Sequence, residues 1–192
     1  MNKRHFIVAA LGLFALAAPA LRAASIPRKV PEFAINLADG KQVAISQYRG
    51  KVVAVVFILT TCPHCQKAVR CLSEEQKEFG PRGFQTLASA IEDMARINVP
   101  GFVHTYAPPF PVGYNKQREA LDFMQHPPMV QALMPLIAFI DREGVVRAQY
   151  EGYEPFFSEE QMAANIHARV EELVGPVAPA KGGIGKRPAR KQ

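Results

Sequence analysis

The chain has 192 residues, of which 48% are apolar, a length and composition that fit one globular domain with a hydrophobic core. Its formal net charge of +6 would suggest nucleic-acid binding if the charges were spread over the fold. Eight of the 23 basic residues lie in the two ends, however, which leaves 15 basic against 17 acidic residues. The folded body is therefore about neutral, and we expect no nucleic-acid partner.

Residues 1–24 have the pattern of a secretory signal peptide. A short basic segment precedes an apolar stretch from Phe6 to Ala18, and small residues follow. This stretch is too short to span a bilayer comfortably, so an uncleaved membrane anchor is the less favoured alternative. We expect a periplasmic or otherwise exported protein that is soluble after cleavage, and the cleavage site stays open.

The first half of the body, which starts at residue 25, predicts a β-hairpin, a buried strand and a long helix. Residues 31–37 alternate in polarity and meet an Asp-Gly turn before residues 43–45, which predicts the N-terminal hairpin. The run Lys51–Leu59 is apolar without alternation, as in a central strand of an α/β sheet. A helix follows Cys62 and ends near Phe79, and residues 84–91 form the next strand.

The second half predicts three helical segments, a hairpin and a final helix. Asn98 is expected to cap a helix that ends at Tyr106, a second helix covers residues 118–124, and a short helical turn covers 127–133. Residues 136–140 and 145–150 form strands joined by a turn, and Ser158 caps the final helix up to residue 174. Residues 175–192 form a basic tail rich in Gly, Pro and Ala, which we expect to be disordered, with at most a weak membrane contact.

The chemistry of the chain is concentrated in Cys62-Pro63-His64-Cys65, at the junction of the buried strand and the long helix. The N–H groups and positive dipole end of a helix stabilise a thiolate on Cys62, and the thiolate is the form that attacks disulfides. Three cysteines cannot all pair within the chain, and helical spacing turns Cys71 away from the other two. We interpret Cys71 as a buried packing residue.

These motifs, taken together, resemble the thioredoxin-like redoxin family, closest to its exported TlpA/ResA-type members. The resemblance covers about residues 30–174 and rests on a set of short matches: Pro31-x-Phe33, Asp39-Gly40-Lys41, Tyr48-Arg49-Gly50-Lys51-Val52-Val53, the Cys62–Cys65 motif, Pro135 and Phe139-Ile140-Asp141-x-x-Gly144. It implies an α/β thioredoxin fold, with a central mixed sheet flanked by helices. It also implies a thiol:disulfide oxidoreductase without a dissociable cofactor.

The resemblance further implies roles for individual residues. Cys62 is the nucleophile and Cys65 resolves the mixed disulfide. A cis peptide bond precedes Pro135, and the backbone of Met134 binds an extended substrate chain. The partners would be protein thiols or disulfides and a protein that resets the redox pair. We expect a monomer.

The direction of electron flow is left open by two opposing features. The Pro63-His64 dipeptide matches DsbA-like oxidases, and His64 can stabilise the Cys62 thiolate and so make the disulfide more oxidising. The resemblance to TlpA/ResA-type proteins favours the opposite direction, because proteins of this type are typically reductases.

Two positions depart from the pattern of the wider thioredoxin family. Thr61 stands where a tryptophan is common, and Val56 stands where a buried acid usually receives the proton of the resolving thiol. Water, or an acid after the second strand such as Glu92 or Asp93, could take the place of that missing acid.

Three alternative roles are open to the cysteine pair. In a thiol-dependent peroxidase, the motif P-x-x-x-T-x-x-C supplies the peroxide site, but its proline and threonine positions are Val55 and Leu59 here. A Cu(I) carrier would use Cys62, Cys65 and Met134, since thiolates and thioethers suit Cu(I). The third alternative is a purely structural disulfide. A zinc site would need two further ligands that the sequence does not supply.

Overall fold

The computed structural model describes residues 24–175, so residues 1–23 of the predicted signal peptide and residues 176–192 of the predicted tail lie outside it. The described part has eight strands and four helices. The strands are β1 (Arg28–Lys29), β2 (Ala34–Asn36), β3 (Gln42–Ala44), β4 (Val52–Ile58), β5 (Phe84–Ala90), β6 (Val112–Tyr114), β7 (Leu136–Ile140) and β8 (Val145–Glu151). The helices are α1 (Pro63–Phe79), α2 (Ala95–Tyr106), α3 (Gln117–Met124) and α4 (Met162–Val174). Within this range no helix is long and apolar enough to cross a membrane.

All eight strands belong to one mixed sheet in the order β1-β8-β7-β4-β5-β6-β2-β3. Strand β4 pairs in parallel with β5 and antiparallel with β7, and β2 and β3 form the antiparallel N-terminal hairpin. The mixed sheet, the hairpin and the flanking helices were all predicted, and each is confirmed.

Strand β4 divides the hydrophobic core into two halves because successive side chains of a strand point to opposite faces. All seven of its residues are buried. One face, which includes Val56, packs on a core formed with α1, α2 and α4. The other face, which includes Val55 and Phe57, packs on a core formed with α3 and the hairpin strand β2. The end of β4 is thereby held from both sides at the point where it delivers the chain to Cys62.

Three predicted boundaries are wrong in detail. Helix α2 begins at Ala95 instead of after Asn98, because Ala95, Val99 and Phe102 all bury in the core and extend the helix before Pro100. Residues 127–133 do not form a helix. A single turn closed by the Val130 N–H and the Pro127 carbonyl, at 3.1 Å, is followed by irregular chain.

The start of α4 also differs from the prediction. The helix begins at Met162, and a 3₁₀ turn at Pro155–Phe157 precedes it. Ser158 contributes its carbonyl instead of a side-chain cap, and this carbonyl accepts hydrogen bonds from the N–H groups of Gln161 and Met162. The apolar stripe of α4 is confirmed, since Met162, Ile166 and Val170 are buried.

Candidate active site

Cys62 lies at the N-cap of α1, half-buried, where β4 passes through a short turn into the helix. Its backbone N–H donates to the Leu59 carbonyl at 3.1 Å, and its carbonyl accepts from the Gln66 N–H at 3.0 Å. Pro63 occupies the first helical position, where its missing N–H costs no hydrogen bond. Cys62 therefore lies at the helix start that the sequence predicted, and its side chain makes no capping hydrogen bond to the N–H groups there.

Cys65 is fully buried one turn inside α1. Its Sγ accepts a hydrogen bond from the Leu59 backbone N–H at 3.4 Å. Burial raises the pKa of this thiol well above its ordinary value; the Leu59 hydrogen bond opposes the rise, whereas the Cys62 side chain and the Glu92 carboxylate add to it. Cys65 is therefore a protonated thiol at neutral pH, and it must lose its proton before it can act as a nucleophile.

His64 points toward the segment before α4. Its Nε2 lies 3.8 Å from Oε1 of Glu159, and both side chains are substantially exposed. Lys67 of the same helix donates to the Glu159 carbonyl, which ties this segment to α1. Glu159 is a neighbour of the redox motif that sequence reasoning did not identify, because it is distant in the chain and carries no motif.

The peptide bond between Met134 and Pro135 is cis, as the resemblance implied. Pro135 is buried, and the loop before it is held by the Gly152 N–H, which donates to the Leu133 carbonyl at 2.8 Å. A Cβ atom on Gly152 would lie 2.2 Å from the Met134 carbonyl oxygen. Gly152 thus permits a close backbone approach to this loop, a role that the sequence analysis missed.

The position on β4 where an acid is usual in the wider family is occupied by Val56, which is fully buried. Of the two acids considered as substitutes, Asp93 is exposed, whereas Glu92 contacts the turn before Cys62. Its Oε1 accepts from the Thr60 backbone N–H at 3.2 Å, from the Thr60 hydroxyl and from Asn98 Nδ2 at 3.4 Å. Only Glu92 is therefore bound to the strand-to-helix turn.

The two positions that a peroxide site would need are apolar, whereas Cys62, Cys65 and Met134, the residues of the Cu(I) alternative, all pack in one half of the core. Val55 is buried, and Leu59 packs against the same core half, so neither supplies a hydroxyl for peroxide. Within residues 24–175, one group of three metal-binding side chains comes together, Glu75, Glu78 and His167, and it contains neither cysteine of the pair.

Cys71 is half-buried on α1 and packs against the core half that contains α1 and α4. Burial raises the pKa of its thiol, and the nearby charges of Lys67 and Arg70 oppose that rise. Cys71 therefore packs against the core as predicted, but it is only half-buried.

Comparison with known proteins adds a family and a fold. The profile of the AhpC/TSA family matches residues 26–149. The chain is 28% identical over 116 residues to the thiol-disulfide oxidoreductase ResA of Bacillus subtilis (strain 168), a match that covers 60% of this chain and 62% of ResA. It is 43% identical over 56 residues to "Probable glutathione peroxidase 8-A" of Xenopus laevis, covering 29% of this chain and 27% of that protein. The chain thus spans less than two thirds of either relative.

Two solved structures share the fold. A thiol:disulfide interchange protein of the thioredoxin family from Chlorobium tepidum TLS superposes with a TM-score of 0.65 at 24% identity, over 80% of this chain and 100% of that chain. A secreted disulfide oxidoreductase from Mycobacterium tuberculosis, homologous to DsbE of E. coli, superposes with a TM-score of 0.55 at 15% identity, over 71% and 95% of the two chains. The predicted thioredoxin fold is confirmed.

Proposed function

Because the chain belongs to the AhpC/TSA family, we propose that it is an exported thiol:disulfide oxidoreductase that exchanges disulfides with protein substrates through Cys62 and Cys65. One observation carries this proposal, namely the difference between the two thiols. Cys62 is half-exposed at a helix N-terminus, whereas Cys65 is fully buried with a raised pKa. That asymmetry suits one cysteine to attack a partner and the other to resolve the product.

The exchange follows two balanced steps when the protein acts as a reductant. The Cys62 thiolate attacks one sulfur of the substrate disulfide, forms a mixed disulfide and releases the other substrate sulfur as a thiolate. Cys65 then loses its proton and attacks Cys62, which forms the Cys62–Cys65 disulfide and releases the second substrate sulfur. Two electrons pass from the pair to the substrate. An oxidant runs the same steps in reverse.

The context of the pair supports the rest of the proposal. The basic and apolar pattern of residues 1–24 supports export, and the secreted oxidoreductase from Mycobacterium tuberculosis is an exported protein with the same fold. Met134 and Pro135 form the proposed binding element for an extended substrate chain. We further propose a monomer, with a separate redox protein that restores the pair after each exchange. The reduction potential of the pair decides the direction.

Disulfide exchange with a protein substrate tests the proposal. Reduced protein is mixed with insulin, and oxidised protein is mixed with reduced ribonuclease A. The Cys62→Ser variant is expected to lose both activities, and Cys71→Ser is the matched control that keeps them. Activity retained in Cys62→Ser would refute the proposal. The faster of the two reactions, together with the potential measured against glutathione, assigns the direction.

Peroxide reduction is a second candidate, favoured by the local identity to the peroxidase from Xenopus laevis. The apolar Val55 and Leu59 argue against a dedicated peroxide pocket. Stopped-flow oxidation of reduced protein by hydrogen peroxide distinguishes the two functions. A dedicated peroxidase reacts orders of magnitude faster than a free thiolate, whereas a disulfide exchanger reacts at about the rate of a free thiolate.

A further inference from the structure

His126 is buried just after α3, and each nitrogen of its imidazole faces an oxygen that accepts hydrogen bonds. Nδ1 lies 3.0 Å from the Pro127 carbonyl oxygen, and Nε2 lies 3.3 Å from Oε2 of Glu151. Only 1% of the His126 side chain and 14% of the Glu151 side chain are exposed. A neutral imidazole has one N–H group and an ionised carboxylate has none. Both contacts are therefore hydrogen bonds only when the pair holds one further proton, between Nε2 and Oε2.

The surroundings of the pair favour retention of this proton. Burial raises the pKa of Glu151; His126 opposes the rise, and the Glu154 carboxylate adds to it. The Glu151 backbone N–H donates to Oε1 of Glu154 at 2.7 Å, which keeps this second carboxylate near the pair. A carboxylate that is costly to ionise and that faces an imidazole keeps a proton within the pair. The other titratable or charged side chains on the neighbouring elements are Arg28 of β1, Arg118 and Asp122 of α3, and Tyr153 after β8.

The pair ties down the segment of chain that leads to the proposed substrate-binding element. We call residues 126–135 the substrate loop. Near its end, the Gly152 N–H donates to the Leu133 carbonyl at 2.8 Å. At its start, the His126 side chain contacts Glu151, the residue before Gly152. The end of β8 therefore holds the substrate loop at both of its ends.

The middle of the substrate loop is exposed and apolar. Met129 is 92% exposed, and Val130 and Leu133 are also largely exposed. A cavity of about 340 Å³ lies next to this part of the loop, and Val130 lines it together with His126 and Glu151. Because the loop has open space beside it and few buried apolar contacts, its position depends on the groups that tie its ends.

From this arrangement we propose that His126 and Glu151 are positioning residues for protein substrates, which hold the substrate loop in its binding position as long as they share a proton. This inference rests on the proposed thiol:disulfide exchange, in which the backbone of Met134 binds an extended substrate chain. Neither side chain takes part in the exchange of sulfur bonds, so the reactivity of Cys62 itself does not depend on the pair. The proton is bound when the loop is in position. As the pH rises and the proton leaves, a buried carboxylate faces an imidazole lone pair, and the start of the loop is released.

Two rate constants measured in parallel isolate this positioning. Reduced protein in a Cys71→Ser background reacts either with insulin or with 5,5′-dithiobis(2-nitrobenzoate), a small disulfide without a peptide chain for the substrate loop to bind. Alkylation and mass spectrometry follow the first reaction, and absorbance follows the second. If the pair acts as an oxidant, oxidised protein is mixed with reduced ribonuclease A and with dithiothreitol instead. The selectivity is the rate constant for the protein substrate divided by that for the small molecule. The reactivity of Cys62 enters both rate constants and cancels in this ratio.

The selectivity is expected to fall about 10-fold in His126→Phe, since misplaced binding groups cost factors of this size or larger. His104→Phe, which removes an exposed histidine from α2, is the matched control and should leave the selectivity unchanged. The wild-type selectivity should fall as the pH rises from about 6 to about 9. In Glu151→Gln the new amide donates to Nε2 of a neutral His126, while Nδ1–H still binds the Pro127 carbonyl. This conservative variant should keep the selectivity that His126→Phe loses and should remove its dependence on pH.

Equal selectivity in His126→Phe and in the wild type would overturn this inference, and so would a wild-type selectivity that does not change with pH. A fall of both rate constants in the same proportion would show a purely structural role and would also overturn it. If His126→Phe fails to fold, the pH profiles of the wild type and of Glu151→Gln decide. Failure of the wild-type protein to react with either insulin or reduced ribonuclease A would instead refute the proposed exchange function. The two failures are therefore distinguishable.

Discussion

The backbone N–H of Leu59 donates a 3.4 Å hydrogen bond to the Sγ of Cys65, so the segment that leaves β4 holds the buried thiol directly. Strand β4 is paired on both sides, with β5 and with β7, and this pairing positions the donor. A backbone donor is present whatever side chain residue 59 carries. The position of the hydrogen-bond donor to Cys65 is therefore fixed by the central strand of the sheet.

The two cysteines of the pair should react with alkylating reagents in a fixed order. At pH 7 to 8, iodoacetamide should label Cys62 first and Cys65 on the order of 100-fold more slowly, because burial raises the pKa of Cys65 and keeps it as an unreactive thiol. Mass spectrometry of quenched samples measures the order. Denatured protein, in which all three cysteines should react alike, is the control. Equal labelling in the folded state would contradict the assigned roles.

Removal of the His64 imidazole should make the disulfide less oxidising. An imidazolium beside Cys62 stabilises the thiolate and hence the reduced state, so His64→Ala should lower the reduction potential by about 30 mV, which is a tenfold change in the equilibrium constant. Titration against glutathione measures the shift. Oε1 of Glu159 lies 3.8 Å from Nε2 of His64. Glu159→Gln should therefore raise the reduction potential, and by less than His64→Ala lowers it. A potential unchanged in His64→Ala would exclude this tuning role.

A methyl group at position 152 should displace the loop that carries Met134. In Gly152→Ala the new Cβ would overlap the Met134 carbonyl oxygen, which should destabilise the protein by about 1–3 kcal/mol. Exchange with a protein substrate should fall, while the reaction of Cys62 with a small disulfide should persist. Urea denaturation and the two exchange assays measure these effects.

Gly101 provides the control for this substitution. It lies inside α2, and a Cβ atom added there would have no contact within 4 Å, so Gly101→Ala should stabilise the protein by about 0.5–1 kcal/mol. Similar effects of the two substitutions would show that close packing at position 152 is not the cause.

Asp141 should contribute stability that disappears in acid. Burial opposes its ionisation, but hydrogen bonds from the Val145 N–H at 2.8 Å and from Arg147 outweigh burial and hold the pKa of Asp141 below its ordinary value. A lowered pKa stabilises the fold above the pKa of the unfolded chain, so this contribution is complete at neutral pH and is lost as the pH falls below about 4.

The Asp141→Ala variant tests this contribution. The substitution should cost about 2 kcal/mol at pH 7, the scale of hydrogen bonds to a charged group, and much less at pH 3. Asp39→Ala, which removes an exposed carboxylate from another turn, should cost much less than Asp141→Ala at pH 7. Urea denaturation at both pH values measures the differences. An equal cost at pH 7 and pH 3 would contradict the role of the ionised carboxylate.

Local patterns were sufficient for the centre of the fold. The unbroken apolar run predicted β4, the Asp-Gly turn predicted the β2–β3 hairpin, and the pattern after Cys62 predicted a helix α1 that ends near Phe79. Other features depend on contacts with residues that are distant in the sequence, and a local pattern does not contain these residues. Strand β6 has only three residues, and it forms because it pairs with β5 and β2. Helix α2 begins earlier than predicted because the side chain of Ala95, in its first turn, is buried in the core.

The sequence by itself determined a redox pair at a strand-to-helix junction, because a buried strand, a helix N-terminus and the spacing of two cysteines are properties of adjacent residues. Only the tertiary structure decided which of the two acids after the second strand contacts the turn before Cys62. Thr60 and Glu92 are 32 residues apart in the chain and meet because β4 and β5 lie side by side in the sheet. The same holds for Gly152 and Met134, whose contact follows from the pairing of β7 with β8. Cys62 and Cys65 are thus encoded locally, whereas the contact of Glu92 with Thr60 and that of Gly152 with Met134 are brought about by strand pairing.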